Sequence, residues 1–85
     1  MRRATLIKKL NKASDNPRFR ARPYEEIDGS KEGAIFVSCE DCWKDGVPVA
    51  MYYENYVNPD FQKLIPEDWH WEWTNPGCLG IYKDH

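Results

Sequence analysis

The chain has 85 residues, of which 12 are basic and 14 acidic, and its formal net charge is −2. This length predicts one domain, residues 1–85, with a modest core to which the 14% of aromatic residues contribute much of the buried area. The sequence has no apolar run of about 18 residues and no apolar signal segment at its start, so neither a membrane span nor export is expected. Three cysteines are then expected to be reduced thiols in a cytoplasmic protein.

The charges are unevenly distributed along the chain. Residues 1–22 hold eight bases and one acid, a net charge of +7, whereas residues 23–85 hold four bases and thirteen acids, a net charge of −9. Folding can either neutralise the basic end against the acidic body or leave two oppositely charged surfaces for partners, and the sequence does not choose between them.

The first half of the chain predicts one helix and two strands. Residues 3–14 place Leu6, Leu10 and Ala13 on one helical face, and a polar segment ending in Pro17 stops the helix. Residues 18–22 alternate arginine with apolar residues, which predicts a half-buried strand. Residues 34–39 form an apolar, β-rich run and are predicted to be the central strand.

The middle of the chain contains a clear turn and an ambiguous segment. Asp45-Gly46 predicts a tight turn. Residues 47–53 fit either a strand or a helix beginning at Pro48. Asn58-Pro59 predicts a helix start, with Asn58 as the cap, and Pro66 ends that short helix.

Three tryptophans in five residues mark the last part of the chain. Trp69, Trp71 and Trp73 alternate with polar residues, so a strand would carry them on one face, and at least two are expected to be largely buried. A second strand follows from residue 78. A loop wider than two residues is expected around 75–77, because an L-Pro–Gly pair favours a type II turn that splays tight hairpins.

These elements together predict an α+β fold. We expect a small single domain in which the N-terminal helix packs on an antiparallel sheet and a second short helix lies beside it.

The cysteines suggest a metal site only in part. Cys39 and Cys42 have the spacing of half a zinc site, which Cys78 together with His70 or His85 would complete. The second half lacks a compact ligand pair, so no bound zinc and no other cofactor are expected. A small zinc-binding domain is kept as an alternative.

No residue pattern indicates catalysis. His70 and Glu72 share one face of the last-but-one strand and form a possible acid–base pair. No nucleophile or phosphate-binding glycine loop accompanies them, so we expect the chain not to be an enzyme.

The basic N-terminal 22 residues suggest nucleic-acid binding as an alternative function. Arg18, Arg20 and Arg22 lie on one face of the predicted strand, and Lys8, Lys9 and Lys12 lie on the polar side of the helix. The aromatic residues lie mainly outside this segment and the sequence pI is about 5.6, so nucleic acid is not the expected partner.

The acidic body favours a protein partner. Acidic residues flanked by aromatic ones can occupy a basic groove of a protein that handles nucleic acid. The residues predicted to bind the partner are Glu25, Glu26, Asp28, Glu40, Asp41, Tyr53 and Tyr56.

The C-terminal segment carries a resemblance. Glu72-Trp73-x-Asn75-Pro76-Gly77, followed by Gly80-Ile81-Tyr82, resembles the tails of small proteins carried by phages and prophages. The resemblance implies an inhibitor of host machinery, of the anti-CRISPR kind, that docks on a protein or nucleoprotein complex in the host cytoplasm. The basic N-terminus departs from what an anionic decoy needs.

Overall fold

The structure is a computed structural model that describes residues 1–84. Two helices and six strands lie within these residues. The helices are α1 (Arg3–Ala13) and α2 (Pro59–Leu64), and the strands are β1 (Arg22–Pro23), β2 (Ile35–Ser38), β3 (Ala50–Met51), β4 (Tyr56–Val57), β5 (Trp69–Asn75) and β6 (Cys78–Lys83). Single 3₁₀ turns at Tyr24–Glu26 and Gly29–Lys31 connect β1 to β2.

The main sheet is antiparallel throughout, with the strand order β1-β2-β6-β5. One face of it is buried, since Ile35, Val37, Leu79 and Ile81 are fully inaccessible to solvent. Helix α1 supplies Leu6 and Leu10 to the same core. These observations confirm the predicted α+β class, with β1 and β5 at opposite edges of the sheet.

Helix α1 begins and ends almost where the sequence predicted, and its C-terminus is completed by a distant side chain. The N–H of Ser14 bonds to the carbonyl of Asn11, so the carbonyl of Leu10 is left without a partner in the helix. The indole Nε1–H of Trp43 donates to that carbonyl at 3.1 Å. A tryptophan thus caps the helix from a loop 33 residues away.

The loop around Trp43 is fixed to the rest of the core by this side chain. Trp43 is fully buried, and its ring meets Phe19 and Phe61 edge to face at centroid distances of 6.5 and 6.1 Å. The amide of Asn16 also donates to the carbonyl of Cys42 at 2.7 Å. Segments from both helices and from the connection after α1 therefore meet at one ring.

The strand predicted over residues 18–22 is mostly absent, and the prediction is wrong in that respect. Phe19 and Ala21 are buried and Arg20 is exposed, as the alternation indicated, but only Arg22 and Pro23 pair with β2. The side chain of Asn11 accepts the N–H of Ala21 at 2.7 Å and donates to its carbonyl at 3.1 Å. These backbone groups are bound to α1 and are unavailable to a sheet.

Residues 47–53 form neither of the two predicted elements over their length. Strands β3 and β4 make a small two-stranded hairpin whose connecting turn, residues 52–55, uses Asn55 at a φ of 51°. The turn at Asp45-Gly46 is confirmed, because both residues have positive φ, 55° and 75°, as a type I′ turn requires. The α2 helix is confirmed too, with the Asn58 side chain accepting the N–H of Asp60 at 2.9 Å.

The β5–β6 connection is tighter than expected. Asn75 pairs directly with Cys78, so only two residues, Pro76 and Gly77, lie between the strands. A register shift between Trp73 and Asn75 and an Asn75 side chain that accepts the N–H of Gly77 at 2.8 Å allow this. The prediction of a wider loop is wrong because it considered the Pro–Gly pair without the bulge beside it.

The three tryptophans of β5 lie on the buried face of the sheet to different depths. Trp69 is 4% exposed and donates its indole N–H to the carbonyl of Met1 at 2.9 Å. Trp71 and Trp73 are partly buried and pack against the edge of the core. The stripe therefore closes the core at one end of β5 and reaches the surface at the other.

Replacing Trp43 tests the central position of this side chain. We expect Trp43→Ala to lower the free energy of unfolding by about 3–5 kcal/mol, because it opens a cavity and leaves the Leu10 carbonyl without its donor. A chain of this size has a total of roughly 4–13 kcal/mol. Urea denaturation followed by circular dichroism measures the change.

Tyr53→Ala is the matched control, because Tyr53 is 84% exposed and its loss should change the free energy of unfolding by less than about 0.5 kcal/mol. Similar urea midpoints for the two variants would contradict the predicted contribution of Trp43 to the free energy of unfolding.

Candidate functional site

The two aromatic residues that are exposed within residues 1–84 lie at the β5 edge of the main sheet. Tyr52 and Tyr53, in the turn between β3 and β4, stand beside Trp71 and Trp73 of β5. We call these four residues the aromatic edge.

The rings of the aromatic edge form a chain of edge-to-face contacts. The ring centroids of Tyr53 and Tyr52 are 5.3 Å apart, those of Tyr52 and Trp73 are 5.2 Å apart, and those of Trp73 and Trp71 are 6.4 Å apart. All three interplanar angles are 84–90°. Each contact has the edge-to-face geometry that aromatic pairs favour.

Exposure increases along this row away from the core. Trp71 and Trp73 are partly buried, Tyr52 is 47% exposed and Tyr53 is 84% exposed. A tyrosine exposed to this degree gains little from the fold, whereas burying it against a partner would remove a large apolar area from water.

The backbone beside the aromatic edge has open hydrogen-bonding positions. Asp84 donates its N–H to the carbonyl of Asp68 at 2.8 Å, and bonded pairs alternate along an antiparallel ladder. His70 and Glu72 therefore bond to β6, while the N–H and C=O groups of Trp71 and Trp73 point away from it. Within residues 1–84 these four groups have no hydrogen-bond partner.

The acidic residues predicted to bind a partner lie at both ends of β2. Glu25 and Glu26 lie in the first 3₁₀ turn before this strand and Asp28 caps the second, while Glu40 and Asp41 lie two and three residues after the strand. The interval from residue 34 to residue 40 spans roughly 20 Å in an extended chain. The structure does not gather these five acids into one surface patch.

Two of these acids already have structural roles. Glu25 accepts two hydrogen bonds from the Arg3 guanidinium, at 2.7 and 2.9 Å, and this pairing lowers the pKa of its carboxyl to about 2. Asp28 accepts the backbone N–H and the hydroxyl of Ser30 at 3.0 and 2.8 Å, which lowers its pKa as well. Glu26 is exposed.

The remaining predicted contacts lie near the bulged end of β5. Glu40 lines an open cavity of about 360 Å³, together with Phe36, Ser38, Asn75, Gly77 and Cys78. Asp41 is exposed next to it. Tyr53 belongs to the aromatic edge, whereas Tyr56, in β4, is half-buried.

The proposed zinc ligands are not brought together. Burial raises the pKa of the Cys39 thiol to about 12, and the nearby Cys78 thiol raises it further. Cys42 is exposed, and Cys78 is buried with its Sγ 3.1 Å from the Thr74 hydroxyl. Among residues 1–84 no three His, Cys, Asp or Glu side chains are placed to hold a metal, and His85 lies outside the described residues.

His70 is occupied by two carboxylates on the face of the sheet opposite α1. Its Nε2 contacts Glu72 at 2.8 Å and its Nδ1 contacts Asp84. These two bonds raise the pKa of His70 and favour the imidazolium form, which donates from both nitrogens. The ring also stacks on Tyr82, with centroids 5.6 Å apart. With both nitrogens engaged, this side chain is poorly placed to act as a general base.

The three arginines of the alternative nucleic-acid site are all exposed. Arg18, Arg20 and Arg22 project from the segment that runs back along α1, at the β1 side of the sheet. This side is opposite the aromatic edge.

Sequence reasoning found the tryptophan stripe but missed the aromatic edge. The period-two spacing placed Trp71 and Trp73 on one face of β5. Nothing in the local sequence indicated that Tyr52, 21 residues before Trp73, would pack on it. The pairing of β5 with one neighbour only is likewise a property of the fold.

Comparison of the chain with family models, curated proteins and solved structures finds no match. In the described part of the chain, none of the helices has the length and apolar character needed to cross a membrane.

The open edge of β5 is tested by amide hydrogen exchange. We expect the amides of Trp71 and Trp73 to exchange faster than those of His70 and Glu72, because only the latter bond to β6. Residue-resolved exchange followed by NMR makes the comparison within one strand. Equal protection at all four positions would mean that another segment covers this edge.

The Arg3–Glu25 pair predicts a defined pH dependence. Because the pKa of Glu25 is lowered from 4.5 to about 2 in the folded chain, its stabilising effect is complete above about pH 4.5 and is lost as the pH falls toward 2. Glu25→Gln should therefore be less stable than the parent near neutral pH and converge with it in acid. Thermal unfolding midpoints across this range measure the difference.

Glu26→Gln is the control for the pH series, since Glu26 is exposed and forms no ion pair among the described residues. Its midpoint should follow that of the parent at every pH. A constant difference between Glu25→Gln and the parent across the whole range would contradict the assignment.

Proposed function

We propose that the chain is a non-enzymatic protein-interaction module that binds an extended, basic segment of a partner protein along β5. The observation that carries the proposal is the combination of an open strand edge and the aromatic edge beside it. Backbone groups at such an edge supply hydrogen bonds, and neighbouring rings supply anchors for side chains.

Addition of a partner strand to β5 accounts for the open backbone groups. A strand laid against Trp71 and Trp73 would pair with their N–H and C=O groups and extend the main sheet by one strand. The side chains of that strand would alternate between two environments, one of them the row of aromatic rings. This favours apolar or planar side chains, arginine included, at every second position of the partner.

The charges around β5 favour a basic partner strand. Glu72 is exposed at the centre of the strand, Glu54 is exposed in the tyrosine-containing turn, and Glu67 is exposed shortly before β5. His70 lies between two carboxylates, so the local charge remains negative even when this side chain is protonated. Lysine or arginine of the partner would find complementary charge here, which speeds association and disfavours acidic competitors.

The C-terminal resemblance suggests the biological role of this interaction, which is inhibition of host machinery by a phage-borne protein. The residues that resemble phage and prophage proteins, 72–77, form the end of β5 and its turn into β6, next to the aromatic edge. A phage-borne inhibitor of the anti-CRISPR kind would dock this edge on a protein or nucleoprotein complex in the host cytoplasm. Proteins that handle nucleic acid present basic segments of the kind that β5 would bind.

The test places a photo-crosslinking amino acid at Tyr53 and, in a second protein, at Tyr56. Each labelled protein is incubated with host lysate and irradiated, and the crosslinked peptides are identified by mass spectrometry. We expect position 53 to give crosslinks concentrated in one lysine- or arginine-rich extended segment, and position 56, which is half-buried, to give few. A synthetic peptide of that segment then replaces the lysate.

Binding of this peptide should protect the amides of Trp71 and Trp73 from exchange, and Glu72→Lys should weaken it at least about tenfold by charge repulsion. Glu26→Lys is the matched control and should leave binding unchanged. Binding without protection of these amides, or equal loss in both charge reversals, would contradict strand addition at β5.

A further inference from the structure

We propose that the chain has a second binding surface, which takes the phosphate backbone of a nucleic acid. It consists of the exposed bases on the side of α1 next to Asn11 and those of the following segment, and we call it the basic face: Lys8, Lys12, Arg18, Arg20 and Arg22. The proposal does not depend on the function assigned to β5, since the two surfaces share no residue.

Folding leaves these bases without acidic partners. Of the eight bases in residues 1–22, only Arg3 forms an ion pair among the described residues, with Glu25. The N-terminal amine pairs with Asp68. Side chains that gain nothing from intramolecular pairing can exchange their counterions for phosphates at little cost. The structure thus favours the second of the two arrangements that the charge distribution allowed.

Specific contacts align the arginine-containing segment with the helix. The amide of Asn11 bonds to both backbone groups of Ala21, and at the far end Arg3 bonds to Glu25. The N–H of Arg18 is accepted by the Asn16 side chain at 3.0 Å. Residues 18–22 therefore run back beside α1, which places the arginines and the lysines of the helix on neighbouring elements.

Burial of alternate residues turns the arginines outward. Phe19 and Ala21 point into the core, at 4% and 2% exposure, and the residues between and beside them are exposed. The Arg22 guanidinium lies over the ring of Phe36, 5.8 Å from its centroid. A guanidinium held on an aromatic ring loses less freedom on binding a phosphate than one on a free side chain.

Acidic residues border this surface where Asn16 and Asp15 bond to Cys42 and Asp45, but none forms an ion pair with it among the described residues. Asp15 is the one acid among residues 1–22, and its carboxylate accepts the N–H of Asp45 at 2.9 Å. Glu26 and Asp28 follow the basic segment and lie beyond its end. Strands β1 and β5 are separated by two strands, about 14 Å, and charges that far apart are largely screened at physiological salt.

The test measures binding of the purified chain to fluorescent oligonucleotides as a function of salt. Single-stranded RNA, single-stranded DNA and duplex DNA of equal length are compared. We expect all three to bind, with affinity falling roughly 500-fold for duplex DNA between about 50 and 200 mM salt if five phosphates are contacted. Similar binding of all three identifies the phosphate as the ligand, and tighter binding of one identifies the form of nucleic acid preferred.

The Arg18/Arg20/Arg22→Ala variant should bind more weakly. The slope of its log affinity against log salt should correspond to about two to three fewer phosphate contacts. The control variant Lys31/Lys44/Lys63→Ala removes the same charge elsewhere and should retain most of the affinity and most of the salt slope. Lys8/Lys12→Gln, on the solvent side of α1, gives an independent check if the arginine variant fails to fold. The proposal is overturned if no oligonucleotide binds, if affinity is insensitive to salt, or if the control variant loses as much as the basic-face variants.

Discussion

The hydrogen bond from the Trp43 indole to the Leu10 carbonyl is the contact on which the rest of the structure depends. It satisfies a carbonyl that α1 cannot pair internally, and it draws a turn-rich loop into the middle of the core. Phe19 and Phe61 pack on the same ring, so the segment after α1 and the start of α2 are positioned by one side chain. Together with the bonds from the Asn16 side chain to the Cys42 carbonyl and from the N–H of Asp15 to the Trp43 carbonyl, the indole hydrogen bond holds the irregular half of the chain against the sheet and the helix.

The two proposed surfaces occupy opposite edges of the sheet because of where the strands fall in the chain. The basic segment follows α1 and enters the sheet as β1 at one edge, while the tryptophan strand pairs with β6 and ends the sheet at the other. The unpaired bases of the N-terminal segment and the open backbone of β5 are thereby separated in space. A nucleoprotein complex offers both kinds of contact, and a domain with two separated surfaces can use each to strengthen the other.

Local patterns in the sequence predicted the elements that local forces determine. The apolar spacing of α1, the Asn58 cap of α2 and the Asp45–Gly46 turn each act within a few residues, and all three are present. The strand over residues 18–22 was wrong because Asn11 competes for its backbone. The core position of Trp43 and the contact of Tyr52 with Trp73 were not predicted, since both join segments distant in sequence through packing alone.

The bulge at the end of β5 limits how much backbone the strand can offer. Its register shifts after Trp73, and at its start the N–H of Trp69 is already bonded to the carbonyl of Pro66. A partner strand therefore meets two fully open residues, Trp71 and Trp73, and an edge this short disfavours edge-to-edge pairing between copies of the chain. Selectivity must then come from the side chains that the partner strand places against the rings. Backbone pairing alone adds little binding free energy at this edge.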